Sequence, residues 1–317
     1  MSENNVRYAW FDGAVVPLEQ AKISVHNQAL QYGTSVFAGM RAYWNAEREQ
    51  LYLFRPFDHF ERLLQSAALL RLDLNYTPAQ LLQSLIELLQ AEGVDCNCYI
   101  RPLVYAANES LGVHLLDSRP ELAITLMPLR DGGFVSKAGG MHVCISAWRR
   151  VEDNAIPARG KIAGSYVNSL MIRSDAMLAG YDDAIVLNND GHIAECSVAN
   201  LFLVRKGVAI TPPVTADVLE GIVRRSLIHL LQEELNVEVQ ERPVDRTEAY
   251  LADEMFMCGT GAEITPVTRV EHRPVGDGEI GALTSRLSQR FLDIVYGRDS
   301  RYMDWLEPVF ALQRAVG

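Results

Sequence analysis

The chain of 317 residues is long enough to form two domains, each with its own hydrophobic core. Its composition, 49% hydrophobic and 22% charged residues, is that of a globular protein, and its net charge of −11 argues against a nucleic-acid-binding surface. No apolar stretch approaches the ~20 residues that a membrane-spanning helix needs, so no membrane span is expected.

The N-terminus and the cysteines favour a cytoplasmic location. The first residues, MSENNVRYAWF, lack a basic start followed by an apolar run, so we expect no signal peptide. The five cysteines are an odd number without a CxxC pair, which is typical of free thiols in a reducing compartment. The seven histidines contain no HxxxH or HxH pair, so no metal site is predicted.

The first half of the chain begins with a predicted hairpin and two helices. The segment YAWFDGAVV predicts two short strands around an Asp-Gly turn. A helix is predicted over FDHFERLLQSAALLRL, with Phe57, Phe60, Leu64, Ala67 and Arg71 on one face. A second helix is predicted to begin after Thr77, which is followed by a proline, and to end at Gly93.

A glycine-rich segment divides the chain. Two strands are predicted at 98–105 and 122–127, and the segment PLRDGGFVSKAGG that follows has no hydrophobic period. We interpret it as a linker. The predicted division is a small N-terminal α/β domain over residues 1–128, a linker over 129–140, and a large C-terminal domain over 141–317.

The second half mixes strands and helices without a regular order. It opens with the strand MHVCISAW, followed by a helix from about Ser165 to Gly180. AIVLNNDGHIAEC predicts two strands joined by a turn, and a further helix is predicted after Gly221. The strand EMFMC and a final helix over 280–296 complete the pattern. Because strands and helices do not alternate strictly, a mixed α/β (α+β) fold is favoured over a doubly wound one.

Lys161 lies in the segment ARGKIAGSYVNSLM, where no acidic residue stands within seven positions of it. Most lysines in such a place are exposed, because lysine is almost never buried without a partner. The small neighbours Gly160, Ala163 and Gly164 nevertheless allow another group to approach closely. A helix beginning near Ser165 would also lower the pKa of a nearby amine, and the neutral amine attacks carbonyl groups. These residues alone leave both interpretations open.

Three other segments add to the pattern. In GHIAECSVANLFLV the two-residue period places Glu195 on the same strand face as Ile193, which predicts a carboxylate directed at a buried cation, unless the strand ends there. LEGIVRRSLIHLL places backbone N–H groups at a helix start, and CGTGAEITP adds a loop of small residues with the hydroxyl of Thr260. An amine, an isolated carboxylate and anion-binding loops are together what pyridoxal 5′-phosphate (PLP) requires.

The chain also resembles a known family in a series of segments. In chain order they are HNQALQYGTSVFAGMRAY, HFERL, YIRPLVY, ARGKIAGSYVNSLM, GHIAECSVANLF, TPPVTADVLEGIVRRSL and YLADEMFMCGTGAEITPV. Together they resemble the class IV, or fold type IV, PLP-dependent aminotransferases over almost the whole chain, and most closely the branched-chain amino acid aminotransferases. The resemblance implies a two-domain fold like that of D-amino acid aminotransferase, with the cofactor bound by the large domain.

The resemblance implies roles in cofactor binding. Lys161 matches the lysine that binds PLP covalently and moves the proton at the substrate Cα. Glu195 matches the carboxylate that pairs with the pyridine nitrogen. The residues that match positions around the phosphate and the ring oxygen are Arg62, Tyr166, Gly221, Ile222, Val223 and Thr260. The helix pattern alone predicts that Arg62 is solvated, and the family often has threonine in place of Val223, so only the amide of Val223 is expected to contact phosphate.

The resemblance also implies a substrate pocket. Tyr99 and Arg101 lie on one face of their strand by the two-residue period, and arginine binds a carboxylate with two parallel hydrogen bonds. The residues that match the pocket are Phe37, Tyr99, Arg101, Gly261 and Ala262, and the last two offer amides to a substrate carboxylate. Tyr32 and Val113 match residues that reach the partner subunit's site, which implies a homodimer or a higher homo-oligomer.

The segments that differ from the family border the substrate pocket. The linker lacks the aromatic residues that are usual there, and Ala38-Gly39 stands in place of a Glu-Gly pair. The expected activity is transfer of the amino group between leucine, isoleucine or valine and 2-oxoglutarate. The first alternative within the fold is a transaminase for D-amino acids or (R)-amines. A second alternative is an aminodeoxychorismate lyase, but the GMRAY and YIRP segments argue against it.

Overall fold

The computed structural model describes residues 6–129 and 139–310, and it divides into two compact units. Their described residues are 6–129, 160–164 and 292–310 in the first unit, and 139–159 and 165–291 in the second. Each unit combines a sheet with helices, so the predicted mixed α/β (α+β) fold is confirmed. No helix in these residues is both long and apolar enough to cross a membrane.

The helices and strands are given in chain order. Up to residue 129 they are β1 (Tyr8–Phe11), β2 (Ala14–Pro17), α1 (Gln28–Tyr32), β3 (Ser35–Phe37), β4 (Met40–Asn45), β5 (Gln50–Phe54), α2 (Pro56–Leu69), α3 (Pro78–Glu92), β6 (Cys98–Ala106) and β7 (Pro120–Pro128). From residue 139 they are β8 (Met141–Arg149), α4 (Tyr166–Leu178), β9 (Asp183–Leu187), β10 (Ile193–Cys196), β11 (Asn200–Arg205), β12 (Val208–Thr211), α5 (Ile222–His229), β13 (Val239–Glu241), β14 (Glu254–Gly259), β15 (Glu263–Val270), β16 (Arg273–Pro274), α6 (Ala282–Val295) and β17 (Leu306–Pro308).

The sheet of the first unit is antiparallel. Its strands lie in the order β17-β5-β4-β6-β7-β1-β2, and β3 also pairs with β6. Strands β1 and β2 form the predicted hairpin. Asp12 and Gly13 at its turn have φ of 51° and 84°, the left-handed conformation that a two-residue hairpin turn requires. The two predicted strands at 98–105 and 122–127 are confirmed as β6 and β7.

Helix α3 begins and ends where the sequence predicts. The hydroxyl of Thr77 accepts from the backbone N–H of Gln80 at 3.3 Å, and the side chain of Gln80 accepts from the N–H of Thr77 at 2.8 Å. Pro78 occupies the first helical position, and Gly93 follows the last turn with φ of 67°. These end signals are local, which is why the sequence alone locates them.

Helix α2 is confirmed, but its buried face differs in part from the predicted one. Phe57 is 44% exposed, Arg71 lies beyond the end of the helix, and Leu64 is half-buried. The buried residues are Pro56, His59, Phe60, Leu63, Ser66 and Ala67. The buried face therefore follows Phe60, Leu63 and Ala67, and this rotation about the helix axis brings the small polar Ser66 inward.

The sheet of the second unit is mixed. Its strands lie in the order β10-β9-β8-β15-β14-β11-β12-β13, and β16 pairs with β15. Strand β8 runs parallel to both β9 and β15, and β12 runs parallel to β13, while the other pairs are antiparallel. The strands and helices predicted in this half are confirmed, although α4 begins at Tyr166 and the hydroxyl of Ser165 does not cap it.

The geometry of β10 differs from the prediction. Ile193 pairs with Leu187 and Glu195 pairs with Val186, so the register shifts between them. This irregularity interrupts the two-residue period, so alternation alone does not determine which face of the strand Glu195 occupies. All four residues of β10 are buried, so the predicted burial of Glu195 is confirmed, although the strand lacks the regular ladder that the two-residue period assumes.

The C-terminal part of the chain returns to the first unit. Strand β17 pairs with β5 through Leu306 and Phe54, and it adds an edge to the first sheet. This pairing is why residues 292–310 belong to the first unit, whereas the predicted C-terminal domain continued from 141 to 317. Most of the predicted linker, 129–140, lies outside the described residues.

Candidate active site

Lys161 is fixed by its backbone within the first unit. Its carbonyl oxygen accepts from the N–H of Phe37 at 3.0 Å, and its N–H donates to the hydroxyl of Ser66 at 3.1 Å. The next residue, Ile162, forms an antiparallel bridge with Val36. The lysine therefore lies beside β3 in a defined register, and this register determines the direction of its side chain.

The ring of Phe37 has two cations around it. The Nζ atom of Lys161 lies 5.2 Å from the ring centre, and the guanidinium carbon of Arg101 lies 4.2 Å from it. Cations are attracted to the face of an aromatic ring at such distances. We call Phe37, Tyr99, Arg101 and Lys161 the lysine cluster. It combines an amine, a carboxylate-binding group and a buried apolar surface.

Tyr99 and Arg101 lie together on β6, as the two-residue period predicts. The Nη2 atom of Arg101 donates to the hydroxyl of Tyr99 at 2.9 Å, and its guanidinium carbon lies 5.2 Å from the tyrosine ring centre. Their neighbours Cys98, Ile100 and Pro102 face the other way and are buried. The pair is thus accessible on one side of a strand whose other side belongs to the core.

Helix α2 connects Arg62 to the lysine through Ser66. The hydroxyl of Ser66 donates to the carbonyl oxygen of Arg62 at 2.8 Å, and the same hydroxyl accepts from the backbone of Lys161. Arg62 is half-buried, so it is less solvated than the helix pattern predicts. The hydroxyl of Ser66 thus holds the helical turn that carries Arg62 next to the backbone of Lys161.

Glu195 is the centre of a buried polar group in the second unit. It is 3% exposed, its Oε1 lies 2.8 Å from Nη2 of Arg150, and its Oε2 accepts from Nδ2 of Asn200 at 2.9 Å. We call these three residues the glutamate cluster. A buried carboxylate is stable only when its charge is compensated, and Arg150 provides that charge. The carboxylate is thus held in a fixed orientation.

The same asparagine fixes the start of α5. Nδ2 of Asn200 also donates to the carbonyl oxygen of Leu219 at 3.0 Å, and a Cβ on Gly221 would collide with the Asn200 amide oxygen. Ile222 and Val223 begin the helix directly after Gly221. The first N–H groups of a helix have no acceptor within the helix, and they bind anions well. The predicted phosphate-binding helix start is therefore preorganised.

The loop of small residues between β14 and β15 is a tight turn. Thr260, Gly261 and Ala262 form it, and the hydroxyl of Thr265 donates to the carbonyl oxygen of Ala262 at 2.6 Å. That hydrogen bond fixes the turn from the following strand. Tyr166 is half-buried at the first position of α4. Both features lie in the second unit with Glu195 and α5.

Tyr32 and Val113 are exposed on the surface of the first unit. Tyr32 ends α1, and its hydroxyl donates to the carbonyl oxygen of Leu111 at 3.0 Å. Val113 is 84% exposed. The structure thus brings Tyr32 next to the loop that carries Val113.

Sequence reasoning missed three polar residues that organise these groups. Ser66 holds the backbone of Lys161, Arg150 compensates Glu195, and Asn200 connects Glu195 with the start of α5. Asn200 stands in the same quoted segment as Glu195, but nothing in its local pattern distinguishes it from a surface asparagine. The contacts of Ser66 with Lys161, of Arg150 with Glu195 and of Asn200 with Leu219 join segments that are distant in the chain, so no local spacing predicts them.

The family model of class IV aminotransferases matches residues 35–270, which include both clusters. The chain belongs to the class IV aminotransferases. A relative from Aquifex aeolicus (strain VF5), named a probable branched-chain-amino-acid aminotransferase, is 45% identical over 303 residues, which are 96% of this chain and 97% of that protein. The fold and the family expected from the resemblance are confirmed.

Solved class IV structures agree along nearly the whole chain. A branched-chain aminotransferase from Thermoproteus uzoniensis, solved with norvaline, has 38% identity and a TM-score of 0.91, and covers 96% of this chain and 99% of its own. The branched-chain amino acid aminotransferase from Thermobaculum terrenum, solved in its PLP form, has 39% identity and a TM-score of 0.91, and covers 98% of this chain and 100% of its own.

The residues of this class IV aminotransferase fit PLP. In the second unit, the buried and charge-compensated Glu195 suits a protonated pyridine nitrogen, and the start of α5 suits a phosphate. In the first unit, Lys161 supplies the amine, and its backbone hydrogen bonds keep it in place. The donor types therefore match the aldehyde, the ring and the phosphate of this cofactor.

Proposed function

We propose that this chain is a PLP-dependent aminotransferase that moves an amino group between L-leucine, L-isoleucine or L-valine and 2-oxoglutarate. One observation carries the proposal: the amine of Lys161 and the guanidinium of Arg101 both lie over the buried ring of Phe37. An apolar wall suits a branched aliphatic side chain, and an arginine beside it suits the second carboxylate of 2-oxoglutarate. The near full-length relatives with this named activity support the same reaction.

In this proposal the cofactor is held by charge and backbone amides. Bound PLP would supply an aldehyde carbon, which accepts the amino nitrogen with release of water, and a ring that delocalises the electron pair left at the substrate Cα. Glu195 holds the proton on the pyridine nitrogen, and Tyr166 lies at the ring oxygen. The phosphate is bound by Arg62, by Thr260 and by the backbone amides of Ile222 and Val223, which follow Gly221.

The chain's residues then act on the substrate. Lys161 removes the proton from the substrate Cα as a general base and then delivers a proton to C4′ of the cofactor. The amides of Gly261 and Ala262 bind the carboxylate that every substrate carries. Phe37 accepts the aliphatic side chain, and Arg101 with Tyr99 accepts the distal carboxylate of glutamate or 2-oxoglutarate. Each interaction orients the Cα–H bond toward the lysine.

The Arg101→Leu variant should separate the two half-reactions. A charge-assisted hydrogen bond is worth ~1.5–3 kcal/mol, so the 2-oxoglutarate half-reaction should slow by roughly ten- to a hundred-fold. The leucine half-reaction should change much less, because leucine has no group for Arg101 to bind. Single-turnover kinetics of each half-reaction measure the two effects separately.

Two other arginines could bind the distal carboxylate instead of Arg101, and the same kinetics would reveal this. Arg41 is buried over the ring of Tyr43, and Arg130 lies outside the described residues. Equal losses in both half-reactions would show that Arg101 shapes the pocket or binds the common carboxylate. No loss in either would assign the distal carboxylate to another arginine. A faster half-reaction of the wild type with D-alanine or (R)-1-phenylethylamine than with L-leucine would replace the proposed substrate class.

We further propose that two copies of the chain associate through an apolar surface of the first unit. Tyr32 donates to Leu111, and the side chain of Gln28 donates to the carbonyl oxygens of Gly112 and His114 at 2.9 and 3.3 Å, so two segments form one surface. The large apolar side chains exposed on these segments are Val25, Leu30, Tyr32, Leu111, Val113 and Leu116. Contiguous apolar surfaces of this kind are typical of protein–protein interfaces.

The Val113→Asp variant should weaken this association. Association of the variant would bury the introduced carboxylate without a partner, and the free-energy cost of that burial exceeds what the buried valine contributes in the wild type. Sedimentation equilibrium of the wild type should give twice the mass of one chain or a multiple of it, and the variant should shift toward the single chain. Leu251→Asp, a substitution of an exposed residue of the second unit, is the matched control. A monomeric wild type would contradict the proposal.

We also propose a cytoplasmic location. All five cysteines are free thiols, and Cys98, Cys196 and Cys258 are buried. Burial raises the pKa of the Cys258 thiol to about 12, and it also raises the pKa of Cys196, so neither is ionised near neutral pH. Unreactive, reduced thiols in the core are compatible with a reducing compartment.

A further inference from the structure

The corner between β3 and β4 lies directly against β6. It consists of Ala38 and Gly39, and the N–H of Ala38 donates to the carbonyl oxygen of Pro102 at 2.9 Å. The chain then enters β4, where Met40 pairs with Ile100. The two corner residues therefore pass over the segment of β6 that carries Tyr99 and Arg101.

Gly39 leaves space for the phenol of Tyr99. A Cβ at this position would collide with the Tyr99 hydroxyl oxygen, and it would lie only 2.9 Å from Cζ and 3.2 Å from Cε2 of the ring. The backbone of Gly39 does not adopt a positive φ, so the conformation itself does not require glycine. Space for the tyrosine is therefore the physical reason for a glycine in this corner.

The position of the phenol determines the support of Arg101. The Tyr99 hydroxyl accepts the 2.9 Å hydrogen bond from Arg101, and the guanidinium carbon lies 5.2 Å from the ring centre of Tyr99 and 4.2 Å from that of Phe37. Arg101 is itself exposed, and a long exposed arginine samples many rotamers unless such contacts hold it. A displaced phenol would release the guanidinium from one of its two aromatic neighbours.

We propose that Gly39 is a positioning residue for recognition of dicarboxylate substrates: its missing side chain places the Tyr99 phenol, and the phenol orients Arg101. This inference rests on the proposed function, in which Arg101 binds the distal carboxylate. Gly39 does not touch the substrate carboxylate in this role. It acts through Tyr99, and the two positions must therefore be coupled.

The test compares a dicarboxylate with a monocarboxylate on the PLP-loaded enzyme. Dissociation constants of glutarate and of 4-methylpentanoate are measured for the wild type, Gly39→Ala, Tyr99→Phe and the double variant. Each single variant loses the Tyr99–Arg101 hydrogen bond, so glutarate should bind roughly threefold to tenfold more weakly, with a smaller change for the monocarboxylate. The double variant should bind glutarate about as well as Tyr99→Phe alone, because both changes act through one bond.

Additive losses in the double variant would overturn the inference, since Gly39 would then act independently of Tyr99. Unchanged glutarate binding in Gly39→Ala would overturn it as well. If Gly39→Ala fails to fold, recovery of the fold in the double variant supports the inference, because the colliding oxygen is removed. Since Cζ of the ring would still lie 2.9 Å from the new Cβ in that variant, Gly39→Ala is also combined with Tyr99→Leu, which removes the whole ring. Failure of this second double variant to recover the fold would show that Gly39 is needed for another reason.

A crystal structure of Gly39→Ala separates this inference from the proposed function. The expected result is a displaced phenol and a broken hydrogen bond to Arg101, and this readout needs no substrate. An intact bond at 2.9 Å would overturn the positioning role even if the enzyme is an active transaminase. A wild type that does not transaminate leucine with 2-oxoglutarate would instead overturn the proposed function.

Discussion

The Lys161→Ala variant should lose both the covalent link to PLP and nearly all transamination. Without the amine, no group held by the backbone contacts to Phe37 and Ser66 can move the proton at the substrate Cα. General base catalysis alone contributes about 10²- to 10⁴-fold, and the loss of the covalent link adds to that. Borohydride reduction followed by peptide mass mapping should attach PLP to the wild type and not to the variant.

The small number of lysines makes this experiment decisive. The chain contains Lys22, Lys137, Lys161 and Lys206, so only three other attachment points exist. Lys22→Ala, a change of an exposed lysine, is the matched control and should keep both the link and the activity. Reductive attachment of PLP to the Lys161→Ala variant would assign the anchor to one of the other lysines. An unchanged unfolding transition would show that the loss is chemical.

The features predicted correctly from the sequence are those that local chemistry determines. Thr77 and Gly93 fix the ends of α3, and Asp12 with Gly13 fixes the first hairpin, because each acts on residues within one turn. The strand period placed Tyr99 and Arg101 on the same face, since β6 is regular along its length. Regular elements with local end signals need no knowledge of the rest of the fold.

The features that were missed depend on distant parts of the chain. Glu195 is buried as expected, but the register shift beside it is a property of the pairing of β10 with β9, which the local sequence does not show. Arg150 pairs with Glu195 from a distant position in the chain, and the short strand β17 exists because it pairs with β5. The cofactor residues follow from the resemblance to a family, whereas the contacts that orient them depend on how distant segments pack in the folded chain.

The Glu195→Gln variant should keep the cofactor site in place but slow proton removal from the substrate Cα strongly. A neutral amide cannot hold a proton on the pyridine nitrogen. The ring therefore withdraws electron density less strongly as negative charge develops at the substrate Cα. Loss of one preorganised electrostatic partner typically costs about 10²- to 10³-fold in rate. Single-turnover kinetics with L-leucine and with its Cα-deuterated form should show a slower step with a larger isotope effect. Turnover at the wild-type rate would exclude the assigned role.

A second substitution, at Arg150, distinguishes the effect of Glu195→Gln on the rate from its effect on the free energy of unfolding. Arg150 and Glu195 have side chains only 14% and 4% exposed, and removing one member of such a buried pair costs about 3–5 kcal/mol of folding free energy. Glu195→Gln should therefore also unfold more easily, because it leaves the guanidinium of Arg150 buried without its counter-charge. Adding Arg150→Met removes that stranded charge and should recover much of the lost unfolding free energy in denaturant titrations. The proton-transfer rate should stay low in the double variant, since the carboxylate is still absent. Recovery of the rate together with the stability would mean that Glu195 serves only to balance Arg150.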